Sequence, residues 1–300
     1  MMVESKGQTI QIFLIDGKPD GMLTAKIMGQ EGRVLKTPLA QISDALNHVK
    51  VSGYTGVYLL FGEKDGKPWA YIGESDNVGD RIRLHLQSVK MAWCDSVVLI
   101  TAAENTIAKS HVKYLESRLI KRAKDVGKVT LENSNSPPLP GLGGKAEEAN
   151  AESFLANILT ILPAIRIDVF LDNTRPPSSS GAPLFELSRP KFGIQAIARS
   201  TNGEFVVQKG SLARAGWTTT PKQSQAYAGL HAEMVRAGIL QKKGEHRVFK
   251  TNYAFKSPSA AASVVNGYFS NGSWWRVKGQ KKTYYQWEIE ELGGSSMGKG

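Results

Sequence analysis

The sequence predicts an α/β chain of the α+β kind. It should hold a small antiparallel or mixed sheet flanked by helices, with a ββα element before it and a separate basic α+β domain after it. Three observations predict this. Short β-rich runs flank Asp-Gly and Asn-Gly turns and alternate with stretches of helical periodicity. Two Pro/Gly/Ser-rich interruptions break all periodicity, at residues 137–144 and 173–181. Charge is unevenly spread: net +1 over residues 1–50, +3 over 51–145, −4 over 146–188 and +11 over 189–300.

Residues 8–15 read as a strand, Asp16-Gly17 as a turn, and residues 22–28 as a returning strand. Residues 39–49 have the spacing of a short amphipathic helix, giving a ββα element over residues 1–50 that is small for independent folding. Residues 57–61 and 69–72 are β-rich and flank Asp65-Gly66, a hairpin signal that puts Tyr58 and Tyr71 on opposite strands. Asp76 or Asn77 can cap a helix running to about Val89. Residues 97–101 form a buried-type strand. Residues 106–126 form a long helix with Val112, Leu115, Leu119 and Ala123 on one face and Gly127 as its stop. The order over residues 51–145 is ββαβα. Residues 146–162 read as a helix and 165–171 as a strand, within an acidic connector over 146–188. The last domain, 189–292, opens with a hairpin around Asn202-Gly203. A helix over 224–237, an extended run over 248–255 and a helix capped by Ser257 with Pro258 at its first position follow. A disordered tail is expected over 293–300.

Three hundred residues suit about two domains, and one cysteine, Cys94, excludes an intrachain disulfide. No basic segment leads into an apolar run near the start. The most apolar stretch, 154–171, is interrupted by Pro163, Arg166 and Asp168. The expectation is a cytoplasmic protein with no membrane partner. Zinc spacings, a reactive-cysteine context and a phosphate-binding glycine loop are all missing from the sequence.

The chemistry concentrates in the second segment. Gly56-Val57-Tyr58 is followed by Tyr71-Ile72-Gly73, then Arg81, His85 and Glu116. Any one of these would be ordinary: a packing tyrosine, a solvated arginine, a structural histidine, a salt-bridged carboxylate. Together, on a hairpin and two helices, they resemble the GIY-YIG nuclease domain over residues 53–140, with Val57 where isoleucine is usual. The resemblance implies a Mg²⁺-dependent endonuclease, with Mn²⁺ as a substitute, and a catalytic set of Tyr58, Tyr71, Arg81, His85, Glu116 and an asparagine. Glu116 would bind the metal. Asn133 or Asn135 could be the asparagine, and Asn133 is preferred.

The residue chemistry suits those roles. Arg81 and His85 stand at i and i+4, so they share a helix face. A guanidinium can hold a scissile phosphate and stabilise developing charge. A carboxylate is the hard ligand that Mg²⁺ prefers, and one carboxylate suggests a single ion. A phenol with pKa near 10 would need to fall by about 3 units to act as a base at pH 7, roughly 4 kcal/mol. The resemblance favours Tyr58 as that base, directly or through a water, and Tyr71 as a positioning group. The residues themselves do not separate the two roles.

Residues 189–287 resemble a small domain of unknown function that often follows GIY-YIG domains in bacterial proteins. The matching blocks are residues 205–211, residues 255–262, Asn271-Gly272 and Trp274-Trp275. The resemblance implies a bacterial or phage-related source but no activity. A module with 17 basic residues and an aromatic-rich end suits phosphate contact and base stacking. Candidate contacts are Lys242, Lys243, Arg247 and Lys250 around one turn, and Arg276, Lys278, Lys281 and Lys282 near the tryptophans. Trp274 and Trp287 are expected in the core. The expected partner is DNA, with RNA as the other nucleic acid to test. A homodimer is one route to cutting both strands. The alternatives are a catalytically silent DNA-binding protein and a protein-interaction scaffold.

Overall fold

The computed structural model describes residues 7–49, 51, 53–86, 91–133, 137–175, 183–201, 204–218 and 225–294. It is a mixed α and β protein whose chain divides into two compact units, Met1–Leu171 and Asp172–Gly300.

The first unit contains β1 (Ile10–Leu14), β2 (Leu23–Ile27), β3 (Gly32–Pro38), α1 (Ile42–Val49), β4 (Gly56–Lys64), β5 (Lys67–Ser75), α2 (Val78–Leu86), β6 (Cys94–Ala102), α3 (Lys109–Val126), β7 (Thr130–Leu131) and α4 (Lys145–Ala164). Its seven strands form one sheet in the order β1-β2-β3-β6-β4-β5-β7, antiparallel except for the β5–β7 pair. The β4–β5 hairpin closes through Asp65 and Gly66, both with left-handed φ (55° and 68°), as an Asp-Gly hairpin turn requires. Strand alternation then sorts the side chains. Val57, Leu59, Ala70 and Ile72 enter one core with Val112, Leu115 and Leu119 of α3 and Leu155, Ile158 and Ile161 of α4. Tyr58 and Leu60 enter a second core on the other face, with Ile42, Ala45 and Leu46 of α1 and Val78 and Ile82 of α2.

Three expectations are corrected here. The boundary at residue 50 is not a domain boundary. Strand β3, which local sequence does not announce, pairs with β6 along its whole length, so β1–β3 and β4–β7 are one sheet. The helix expected over 146–162 is present as α4, but it is no connector: it packs on that sheet. Its apolar face covers a surface that the strands would otherwise leave wet. Residues 165–171 form no strand. Arg166 takes φ 66°, which ends extension, and Ile165, Ile167 and Phe170 are buried as a loop.

The second unit contains β8 (Thr174–Arg175), β9 (Leu184–Arg189), β10 (Ile194–Thr201), β11 (Glu204–Val207), β12 (Leu212–Arg214), α5 (Gln225–Arg236), β13 (Leu240–Lys243), β14 (His246–Phe249), β15 (Asn252–Phe255), α6 (Pro258–Asn266), β16 (Arg276–Val277) and α7 (Tyr284–Gly294). One sheet runs β16-β9-β10-β11-β15-β8 and a second runs β12-β14-β13. The extended run over 248–255 is therefore two strands, β14 and β15, in different sheets. Ser257 caps α6 by accepting from the Ala260 N–H at 3.1 Å, with Pro258 at N1 as expected. The buried tryptophan is Trp275, not Trp274. Its indole N–H donates to the Pro258 carbonyl at 3.0 Å, whereas Trp274 is 40% exposed and Trp287 is partly buried. The Asn202-Gly203 turn, Ser224 and residues 176–181 of the second interruption lie outside the described residues, as do positions 87–89 at the end of α2 and residues 295–300. Residues 293–294 end α7.

Candidate active site

Both motif glycines stand where a side chain has no room. A Cβ at Gly56 would lie 2.4 Å from the Ile100 carbonyl oxygen on β6. A Cβ at Gly73 would lie 2.3 Å from the Tyr58 hydroxyl, because Gly73 is the cross-strand partner of Tyr58. The glycine clears the space into which the phenol folds. Tyr71, the diagonal neighbour on β5, stacks on Tyr58 with ring centroids 5.9 Å apart and planes 18° apart.

Helix α2 delivers the next two groups. Asn77 caps it, accepting from the Asp80 N–H at 3.0 Å. One turn separates Arg81 from His85, and both reach Tyr58. Arg81 Nε donates to the Tyr58 hydroxyl at 3.3 Å, and His85 Nε2 lies 2.9 Å from the same oxygen. The His85 ring also packs 4.9 Å from Tyr71. A guanidinium N–H can only donate, so the hydroxyl oxygen accepts from Arg81; toward His85 Nε2 it can donate to the Nδ1–H tautomer or accept from the Nε2–H tautomer. In the Nδ1–H tautomer of a neutral imidazole, Nε2 is free to accept the Tyr58 proton. The electrostatics agree: burial first, and then the Arg81 charge, lower the His85 pKa below its ordinary value.

Tyr58 itself is 1% exposed. Burial raises its pKa above that of a free phenol, and the Arg81 hydrogen bond opposes this only in part. A lowered phenol pKa, which the base role would need, is therefore not what this environment provides; an apolar surround disfavours the phenolate.

Asn133 holds the outer edge of β5 at Ile72, and Glu116 is coupled electrostatically to Glu74, on the other side of Gly73. Asn133 Nδ2 donates to the Ile72 carbonyl at 2.6 Å, and the Ile72 N–H donates to Asn133 Oδ1 at 3.4 Å. Beyond β7 the edge of β5 has no partner strand among the described residues, and the amide of Asn133 substitutes for one. Asn135 lies outside the described residues. The Glu74 backbone N–H favours the charged form of Glu116. Its pKa is pushed up to about 7, first by burial and then by the charge of Glu74, with Lys109 and Lys113 opposing. Lys109 pairs with Glu74 and lies 3.1 Å from Asp76. Glu116 makes no salt bridge among the described residues, and no hydrogen bond links it to Tyr58, Tyr71, Arg81 or His85.

The structure thus joins four of the expected residues on one sheet face and places two on the adjoining strand edge. Glu74 and Lys109 are not among the expected residues. Their signals were present: Glu74 follows the motif glycine directly, and Lys109 lies two turns before Glu116 on the same helix face. A cavity of about 370 Å³ opens elsewhere on this unit, beside Phe13, Lys26, Arg33, Tyr54 and Glu104, and is lined by none of the six site residues.

A divalent cation fits the edge. Glu116 is a half-buried carboxylate facing a second carboxylate, with its charge incompletely offset, which is the electrostatic condition a cation relieves. No group of three or more His, Cys, Asp or Glu side chains surrounds it among the described residues, so an ion held there would have to keep most of its waters.

Of the eight basic side chains proposed to contact nucleic acid, three are committed within the second unit. Arg247 donates to the Ala215 and Leu240 carbonyls, Arg276 to the Lys281 carbonyl, and Lys282 pairs with Glu290. Lys242, Lys243, Lys250, Lys278 and Lys281 are exposed.

Residues 185–288 match a family described as Domain of unknown function (DUF4357). Neither the curated proteins nor the solved structures give a match. No helix among the described residues is long and apolar enough to cross a membrane.

Proposed function

We propose that the chain is a divalent-cation-dependent endonuclease that hydrolyses DNA phosphodiester bonds, with its active site in the first unit and its second unit holding the nucleic acid. The observation that carries the reading is the Tyr58 hydroxyl, set between Arg81 Nε and His85 Nε2 under the Tyr71 ring. A structural tyrosine needs one partner. This one lies within hydrogen-bond distance of a donor and of an imidazole nitrogen that can accept, which gives a path for a proton.

The path answers the problem of the raised phenol pKa. Tyr58 need not rest as a phenolate. As water attacks phosphorus, its proton passes to the Tyr58 oxygen while the Tyr58 proton passes to His85 Nε2, leaving an imidazolium. Arg81, exposed at the same face, binds a non-bridging phosphate oxygen and stabilises charge as it develops. Tyr71 fixes the His85 ring and walls the site. Asn133 holds the strand that carries Tyr71 and Gly73. Mg²⁺ or Mn²⁺, held through Glu116, would supply Lewis-acid stabilisation of the leaving oxygen.

The test is cleavage of supercoiled, linear, branched and single-stranded DNA with Mg²⁺. Wild type should be compared with Tyr58→Phe, His85→Ala and Glu116→Ala, each checked for folding. Cutting by wild type alone supports the assignment. Binding without cutting in either Mg²⁺ or Mn²⁺ moves the catalytically silent DNA-binding reading ahead.

A further inference from the structure

The second unit gathers cations and aromatic rings at a place that its sequence does not mark. Arg189 ends β9, and Lys191 and Phe192 lie in the turn after it. Arg214 ends β12, Tyr268 follows α6, and Trp274 precedes β16. The fold brings all six together. The Arg189 guanidinium lies 4.4 Å from the Trp274 ring centroid and 5.8 Å from that of Tyr268, and donates to the Tyr268 hydroxyl. Arg214 lies 4.4 Å from the Phe192 ring, with Lys191 and Arg189 also within 6 Å of it. None of the three cations has an ion-pair partner among the described residues.

A core would not be built this way. Trp274 keeps 40% of its surface exposed beside the wholly buried Trp275. Its neighbour in sequence already supplies the packing, so an exposed indole there needs another reason. A guanidinium stacked on an indole is pre-oriented, with N–H groups left for an anion. Three cations without a carboxylate favour a polyanion, and an exposed ring beside them offers a stacking platform.

We propose that this arginine–aromatic cluster is a contact site for an unpaired nucleic-acid strand. A base stacks on Trp274, and flanking phosphates bind Arg189, Lys191 and Arg214. A paired base keeps its faces covered by its own neighbours, so this geometry selects single-stranded segments. The inference deepens the proposed function by naming where and in what form the second unit holds its nucleic acid, and it rests on that reading.

The test uses the full chain in EDTA, so that binding is read without cutting. Fluorescence anisotropy measures labelled oligothymidine and oligouridine of about 15 nucleotides and a duplex of equal length. Trp274→Leu should weaken single-strand binding about tenfold, and Trp274→Phe, which keeps a ring, should restore most of it. Lys191→Gln with Arg214→Gln should lower the slope of log K against log salt by about 0.7 for each phosphate no longer neutralised. The stronger of the DNA and RNA arms identifies the strand. If Trp274→Leu binds a single strand as wild type does, or if only duplex binds, the inference is wrong while the nuclease reading stands. If the protein binds no nucleic acid in any form, the inference falls together with the targeting role of this unit, and plasmid cleavage alone then judges the first unit.

Discussion

Replacing Gly73 by alanine puts one methyl group where the candidate active site has no space. The added carbon would lie 2.3 Å from the Tyr58 hydroxyl oxygen, 2.4 Å from Cζ and 2.8 Å from a Tyr71 ring carbon. Comfortable contact needs about 3.5 Å, so the phenol must move by roughly 1 Å. Tyr58 is 1% exposed and packed among Leu60, Ile82 and Leu99, so that movement strains the core. Overpacking of this kind costs about 1–3 kcal/mol. Losing the Arg81 and His85 hydrogen bonds adds about 1 kcal/mol each. Against this, alanine restricts the unfolded chain and stabilises by about 0.4–1 kcal/mol, because the Gly73 backbone lies outside the left-handed region. The clash wins, with a net loss of about 2–5 kcal/mol. For a unit of this size the Tm should fall by roughly 4–20 °C. Gly53→Ala is the control, since nothing lies within 4 Å of its Cβ position; it should be neutral or slightly stabilising. Calorimetric unfolding and nicking of supercoiled plasmid are the assays. A Gly73→Ala protein as stable and as active as wild type would refute the packing argument and remove the reason given for the motif glycine.

Three further outcomes follow from the geometry. Asn133→Ala should lower stability by about 1 kcal/mol and slow cleavage. Asn133→Asp should do more harm, because it sets an acceptor against the Ile72 carbonyl; urea unfolding and single-turnover rates read both. Glu116 has a raised folded-state pKa, so it protonates more readily in the folded than in the unfolded chain. Its unfavourable contribution is absent below the ordinary carboxylate range, grows as pH rises, and is complete above about 7. Glu116→Gln should therefore stabilise at pH 8 by about 1 kcal/mol, discounted for partial exposure, and leave stability at pH 4 unchanged. Mg²⁺ should raise the Tm of wild type at pH 8 but not that of Glu116→Gln. In the second unit, Arg247→Ala should lower stability, because two carbonyls lose their donor. Lys242→Ala with Lys243→Ala should leave the Tm in place, and a thermal melt separates them.

How far the sequence reaches can be judged on particular residues. The Asp65-Gly66 turn, the Asn77 and Ser257 caps and the helix carrying Glu116 were legible because each depends on neighbours in the chain. So was the i, i+4 pairing of Arg81 with His85. Strand β3 was not, since Arg33, Lys36 and Thr37 make it look polar until β6 is beside it. Nor was the exposure of Trp274 against the burial of Trp275, because two adjacent tryptophans are alike until a core forms on one side.

The sequence by itself determined which residues could do chemistry and which local elements would carry them, since propensity, capping and turn geometry act over a few residues. Only the tertiary structure decided how those residues meet. It set the Tyr58 hydroxyl between Arg81 and His85 and buried it until its pKa rose. It placed Glu74 against Glu116, and it drew Arg189, Arg214 and Trp274 from distant strands and turns into one cluster. Burial, electrostatic coupling and long-range contact depend on which surfaces the core brings together, and no local stretch of the chain contains that information.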